Sequence, residues 1–257
     1  MSVILLDYDG FIARAFYAGY NPEYPDDYSG CFDKLYEMEN DAKNKAIDFF
    51  DSDEAYTIQR VVSGHSFKKD FYPTYKAQRK NDEALGDFRD IIKRQNNVVI
   101  ADFLEADDYI ILSNECARDY SIVFSDDKDL HKYCKWTCKL GHDDQISKDR
   151  FSKEAQLIQM ITGDSCDNIK GVPQFGEAKA KKYLDSVGYT LDAVIRLYKT
   201  REISLEECVK NLVLVHPVAR GVLDIGDINF MYGSMELVYM VTHEIAERVK
   251  KIYNEEN

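Results

Sequence analysis

Carboxylates recur in this chain where oxygen ligands could gather round a hard cation. Asp7 closes the apolar run VILLD and Asp9 follows it; Glu105, Asp107 and Asp108 lie in LEADD; Asp127 and Asp129 lie in FSDDKDL; Asp164 and Asp167 open GDSCDNIKGVPQFGEAKA. Converging acids repel one another unless cations neutralise them, and oxygen ligands with few histidines nearby favour Mg²⁺ or Mn²⁺ over zinc. Two such ions about 3.5–4 Å apart suit in-line phosphodiester cleavage, one activating the attacking water and the other stabilising the leaving oxygen. Any one of these acids alone is more readily a helix cap or a surface charge. Their joint placement is what points to a metal site.

A second group could bind phosphate. Directly after Asp164 and Asp167 come the turn Gly171-Val172-Pro173, Gly176, and the cations Lys170, Lys179, Lys181 and Lys182. Upstream, residues 64–82 interleave Lys68, Lys69, Lys76, Arg79 and Lys80 with Phe67, Phe71, Tyr72 and Tyr75. Cations for phosphates and rings for bases suit single-stranded or frayed nucleic acid; a solvated loop with locally packed aromatics fits that patch equally well. The run His131, Cys134, Cys138 and His142 has zinc-like composition. KYCKWTCKL, however, alternates like a strand, which would hold the two thiols far apart on one face, so packed thiols are expected.

The elements that must position these residues alternate. Strands are expected at 3–7, 55–63, 97–101 and 121–125, and helices at 11–18, 32–50, 84–95 and from Glu105 through Leu112; residues 19–33 read as irregular. This order predicts an α/β fold with a mostly parallel central sheet flanked by helices, whose ligands sit beyond the carboxyl ends of the strands. Asp7, the Glu105 group and the Asp127/Asp129 pair fall at such ends. Helical spacing would put Glu105 with Asp108, and Asp164 with Asp167, on one face. Two C-terminal helices, 204–215 and 234–253, are expected; Leu237, Val241, Ile245, Val249 and Ile252 would line one face of the second, and 254–257 would fray.

The net charge of −13 argues against a protein that coats nucleic acid, so contacts must be concentrated in local basic patches. The apolar start stops at Asp7, short of a signal peptide, and no run reaches membrane-spanning length. A cytoplasmic monomer with free thiols and no membrane contact is expected (in the host-cell cytoplasm if the chain is phage-encoded).

Five stretches between Val3 and Leu184 together resemble the 5′-nuclease superfamily: the 5′→3′ exonuclease domain of bacterial DNA polymerase I, flap endonucleases, and the phage exonuclease and RNase H enzymes. VILLDYDGFIARAFYA is similar to the family's first strand and aspartate, FKKDFYPTYKAQR to the start of its helical arch, LEADD and FSDDKDL to its acidic helix start and strand-end pair, and GDSCDNIKGVPQFGEAKA to its helix–hairpin–helix signature. The resemblance implies a PIN-like fold with a nuclease core over 1–150 (arch at about 64–95), a helix–hairpin–helix DNA-binding region over 151–200, and a helical region over 201–257 packed on the core.

For the site it implies one ion held by Asp7, Glu105, Asp107 and Asp108, and a second held directly or through water by Asp127, Asp129, Asp164 and Asp167. Tyr75, Lys76 and Arg79 would act at the scissile phosphate. Lys68, Lys69, Lys80, Lys170, Gly171, Val172, Gly176, Lys179, Lys181 and Lys182 would contact DNA, with K⁺ at the hairpin. The implied activity is a Mg²⁺- or Mn²⁺-dependent structure-specific 5′ nuclease of replication or repair, acting on a 5′ flap, overhang or nick, with RNA–DNA hybrids as further substrates and single-strand-binding or other replication proteins as partners. One departure stands out. Where the family usually has an aspartate ending the second strand, this chain has Ser63-Gly64, which leaves a catalytically weakened DNA-structure binder as the alternative. An RNA-cleaving domain of the wider PIN type fits less well, since that class lacks both arch and hairpin.

Overall fold

The computed structural model describes residues 2–50, 56–79, 82–117, 120–141, 146–148, 153–215 and 234–255. In chain order the elements are β1 (Ser2–Asp7), α1 (Tyr8–Gly19), α2 (Ser29–Phe50), β2 (Tyr56–Ser66), α3 (Phe67–Phe71), α4 (Glu83–Lys93), β3 (Val98–Phe103), α5 (Ala106–Ala117), β4 (Ser121–Phe124), α6 (Lys128–Tyr133), β5 (Trp136–Cys138) and β6 (Ser147–Lys148). They continue with α7 (Lys153–Thr162), β7 (Gly163–Asp164), β8 (Ile169–Lys170), α8 (Glu177–Val187), α9 (Leu191–Thr200), α10 (Leu205–Val215) and α11 (Ser234–Asn254). The chain divides into two compact units, one of residues 1–65 and 80–151, the other of residues 66–79 and 152–257. The short segment holding Tyr75, Lys76 and Arg79 thus groups with the second unit.

The first unit is built on a sheet of order β3-β2-β1-β4-β5-β6. β1 pairs in parallel with both β2 and β4, β4 in parallel with β5, and the short β6 runs antiparallel to β5. Ile4, Leu5 and Leu6 are buried, as are all four residues of β4, the continuous apolar pattern of strands covered on both faces. α1, α2 and α4 pack Phe11, Ile12, Phe16, Leu35, Phe88 and Ile92 into the same core as Ile4, Leu6 and Phe124. The Glu39 carboxylate accepts from Arg60 at 2.9 and 2.7 Å and from the Tyr8 hydroxyl, tying α2 to β2 and α1.

In the second unit α7, α9, α10 and α11 share a core that includes Leu157, Met160, Val194, Leu212, Ile245 and Val249, and the buried Tyr198 hydroxyl donates to the Met160 carbonyl at 2.7 Å. Ile245, Val249 and Ile252 are buried as the helical spacing predicts, while the side chains of Leu237 and Val241 lie outside the described residues.

Two expectations are corrected. The irregular stretch ends at Tyr28, because the Asp27 carboxylate takes the Ser29 N–H at 2.9 Å and α2 starts there. KYCKWTCKL is no single strand: α6 ends at Tyr133, Cys134 caps it, and only Trp136–Cys138 pairs in the sheet. Among the described residues no helix is long and apolar enough to cross a membrane.

Candidate metal centre and nucleic-acid interface

β1 lies at the centre of the sheet, with β2 on one side and β4 on the other, so the chain's direction of winding reverses beside it. In open α/β sheets that reversal opens a crevice at the carboxyl ends of the strands. Asp7 is the last residue of β1. Leu6 pairs with Phe124, the last residue of β4, which brings the next residue of that chain, Ser125, against Asp7. The Ser125 hydroxyl donates to Asp7 Oδ2 at 2.5 Å and accepts the Asp127 N–H at 2.9 Å. Burial pushes the Asp7 carboxyl up to about 7, against the hydrogen bond from Ser125 and with added repulsion from Asp9 and Asp127. A divalent cation beside Asp7 would favour its charged form and reverse that shift.

Glu105, Asp107 and Asp108 offer carboxylate oxygens that all lie within 4.8 Å of one another. Glu105 is not helical as the spacing suggested: it stands just before α5, its carbonyl accepting the Tyr109 N–H at 3.1 Å, with Asp107 and Asp108 in the first turn. The three still converge. Asp107 Oδ1 takes the Asp108 N–H at 2.8 Å, and the helix N-terminus favours this much negative charge. Asp127 is the N-cap of α6, accepting the Asp129 N–H at 2.7 Å, and Asp129 pairs with Lys132 at 3.2 Å. An all-oxygen, mainly carboxylate donor set fits a hard divalent cation.

Ser63 uses every polar group it has. Its N–H donates to Asp9 Oδ2 at 2.9 Å, its hydroxyl accepts the Ala106 N–H at 2.9 Å, and its carbonyl accepts from Arg89 at 3.3 Å. It thereby caps α5 from another strand and holds the acidic first turn in place. Arg89 Nη2 also lies 2.6 Å from Asp9 Oδ1, so Asp9 is already neutralised by a protein cation. Gly64 has no room for any side chain, since a Cβ there would come 2.5 Å from Asp102 Oδ1 and 2.9 Å from the Ala101 carbonyl. Position 63 is therefore the one of the pair that could carry an acid.

In the second unit Asp164 and Asp167 do not share a helix face, which corrects the spacing argument. Asp164 lies on β7 and Asp167 in the turn leading to β8. Asp164 accepts the Cys166 N–H at 2.8 Å and the Gln159 amide at 3.4 Å. Asp167 accepts from Arg79 at 2.7 Å and the Tyr75 hydroxyl at 3.0 Å, with Lys76 Nζ 3.6 Å away. Lys69 is exposed, but Lys68 is 2 % exposed with its ammonium 5.9 Å from the Tyr75 ring centre, so its expected outward contact is not what the structure places there. Lys80 lies outside the described residues.

The connection from α7 to α8 depends on two glycines. Gly163 has φ +71, and a Cβ on it would meet Gly171 N at 2.3 Å; a Cβ on Gly171 would meet the Thr162 carbonyl carbon at 2.1 Å. Gly171 thereby lets the chain pass close to α7, where the Val172 N–H donates to the Ile161 carbonyl at 2.7 Å. Val172 is buried and the Phe175 N–H is bonded to the Val172 carbonyl at 3.1 Å. These two amides are consumed internally, which corrects the expectation that Val172 faces DNA. Gly176 caps α8 with open space around its Cα and no side-chain cap. In the first turn of α8 the Lys179 N–H already bonds the Gly176 carbonyl at 3.0 Å, which leaves those of Glu177 and Ala178 as the groups a helix start does not pair internally, and Lys170, Lys179, Lys181 and Lys182 are exposed.

Sequence reasoning passed over Arg89, Ser125 and the capping role of Ser63. Arg89 lies in an ordinary amphipathic helix and carries no motif; Ser125 could have been found as the hydroxyl directly preceding Asp126-Asp127 at a strand end. The zinc-like run is not a site among the described residues. His131 Nε2 contacts the Ser125 carbonyl and Nδ1 the Thr137 hydroxyl, both at 2.7 Å, Cys134 and Cys138 are buried, and His142 lies outside the described residues. No disulfide joins any of the six cysteines.

No protein-family model matches the chain. A DNA polymerase I of Rhizobium leguminosarum is 30% identical over 234 residues, covering 80% of this chain and 23% of that protein. A 5′-3′ exonuclease of Mycoplasmopsis pulmonis is 30% identical over 144 residues, covering 48% of each. The chain thus spans about a quarter and about half of the length of these curated relatives. Among solved structures, the bacteriophage T5 flap endonuclease in a complex with DNA and metal ions aligns with a TM-score of 0.60 at 14% identity, over 99% of this chain and 100% of that one. T5 5′-exonuclease with bound divalent metal ions (zinc) aligns at 0.59 and 16%, over 99% and 100%. These likenesses show a shared PIN-like fold. By sequence and by fold together, the chain is similar to proteins of the 5′-nuclease superfamily.

Proposed function

We propose that the protein is a metal-dependent, structure-specific 5′ nuclease that hydrolyses phosphodiesters near a 5′ end or 5′ flap and leaves 5′-phosphate products. The observation that carries this is the convergence of the Glu105, Asp107 and Asp108 oxygens within 4.8 Å, in a sheet whose winding reverses at Asp7. Asp7, Glu105, Asp107 and Asp108 would hold a divalent ion, Mg²⁺ or Mn²⁺; Asp127 and Asp129 are proposed at a second, along with Asp164 and Asp167 on the strength of the resemblance. The chemistry such ions supply is activation of water and neutralisation of charge on the phosphoryl group.

The chain's own side chains do the rest. Ser125 and the Gly10 N–H orient the Asp7 carboxylate, and Ser63 fixes the start of α5. Lys76 and Arg79 stabilise negative charge developing on the phosphate. The exposed lysines round the N-terminus of α8, with its first-turn amides, bind the backbone of duplex DNA irrespective of sequence. K⁺ is proposed at the hairpin on the resemblance alone, and RNA primers in hybrids are a further proposed substrate.

The test is product mapping on a 5′-labelled flap duplex in Mg²⁺ and in Mn²⁺. Metal-dependent release of short 5′ products, lost in Asp107→Asn/Asp108→Asn, is expected. Binding without cleavage in either metal would favour the weakened-homologue reading that the serine at position 63 motivates.

A further inference from the structure

Asp167 fastens one segment of the second unit to another. Beyond its carboxylate contacts with Arg79, Tyr75 and Lys76, its carbonyl accepts the Lys76 N–H at 3.3 Å. The Gln78 amide donates to the Ser165 and Cys166 carbonyls at 2.6 and 3.2 Å, and the Asn168 amide donates to the Thr74 carbonyl at 3.1 Å. Lys76 and Asn168 have φ of 55 and 60, so both segments turn sharply where they meet. The Asp167 and Lys76 side chains are 18% and 14% exposed, whereas Arg79 is 58% exposed. Arg79 is thus anchored by one nitrogen while most of its fork faces solvent.

A carboxylate offers about four acceptor positions, and here three neighbouring donors crowd the two oxygens of Asp167. Asp164 accepts from neutral groups instead. Free lysine and arginine side chains lose rotamer freedom when a ligand fixes them, and part of that cost is met here before a ligand arrives.

We propose that Asp167 is a positioning residue: it pre-sets Tyr75, Lys76 and Arg79 to receive a strand phosphate, a role that does not require a metal ion. The phosphate as ligand rests on the nuclease reading; the linkage between the two segments does not. In EDTA, where metal ligation is silent, Asp167→Asn should speed amide hydrogen exchange over 72–79, and Asp164→Asn should not. In the same buffer Asp167→Asn should bind a 5′-phosphorylated single-stranded oligonucleotide about fivefold to tenfold more weakly, as expected for losing a charge-assisted contact. Asp167→Glu should recover part of this, and Asp167→Asn should add less than its full effect to Arg79→Ala. Tyr75→Phe, which leaves the charges intact, should show a smaller loss of protection. Wild-type exchange in Asp167→Asn, oligonucleotide binding as tight as wild type, or independent addition to Arg79→Ala would overturn the proposal. A wild-type protein that neither binds the oligonucleotide nor cuts a flap would refute the nuclease reading, and the exchange experiment would still decide the linkage.

Discussion

Arg89 holds Asp9 in an ion pair of 2.6 Å at the edge of the acidic crevice. The carboxylate that accepts the Ser63 N–H is therefore satisfied by a protein cation. Replacing the guanidinium releases Asp9 to act as an extra oxygen ligand. Arg89→Gln should lower the Mn²⁺ concentration that gives half-maximal flap cleavage severalfold, while the pair, being partly exposed, costs no more than about 1 kcal/mol of stability. A metal titration of wild type and variant checks this; an unchanged midpoint would mean that Asp9 takes no part in ion binding even when released.

Positions 63 and 64 should tolerate substitution to very different degrees. Ser63→Ala removes the acceptor for the Ala106 N–H and should cost about 1 kcal/mol, as losing an N-cap does. Ser63→Asp can still cap α5 but adds an anion beside Asp9, so it should melt lower than wild type in EDTA and regain the difference in Mg²⁺. Gly64→Ala forces a Cβ against backbone and carboxylate oxygens and should prevent folding of the first unit. Thermal melts with and without Mg²⁺ separate the three; a Gly64→Ala protein as stable as wild type would contradict the close strand approach.

Asp7 makes metal-free stability depend on pH. Its carboxyl is raised from 3.8 to about 7, first by burial, so between those values the folded protein binds a proton that the unfolded chain releases. Stability from this group therefore falls as pH rises from about 4 to about 7 and stays low above that. Asp7→Asn should raise the melting temperature of the metal-free protein at pH 8, and the gain should vanish towards pH 4. Added Mg²⁺ should favour wild type over the variant at pH 8. A gain that is the same at every pH would show that charge burial is not its source.

The parallel sheet was legible because VILLD and SIVFS are apolar runs without alternation, the pattern of strands buried on both faces. The acids at β1 and α6 were legible because they close or follow those runs. What escaped was set by partners distant in sequence. Asp164 and Asp167 are spaced like helix neighbours, yet Gly163 with its positive φ ends α7 just before them and throws them into a hairpin. Lys68 is a lysine in a basic stretch, and its interior position, with the ammonium 5.9 Å from the Tyr75 ring centre, comes from tertiary packing. The usefulness of Ser63 depends on Asp9, Arg89 and Ala106, which come from three different elements and leave no trace in local spacing.

His131 gives the crevice a support that reaches away from it. Its Nε2 must carry a proton, because the Ser125 carbonyl it contacts can only accept, and its Nδ1 meets Thr137 on β5. The same Ser125 points its hydroxyl at Asp7. A brace therefore runs from the outer part of the sheet through one imidazole to the central aspartate, and the aim of that aspartate is calibrated by a strand that contributes no carboxylate of its own.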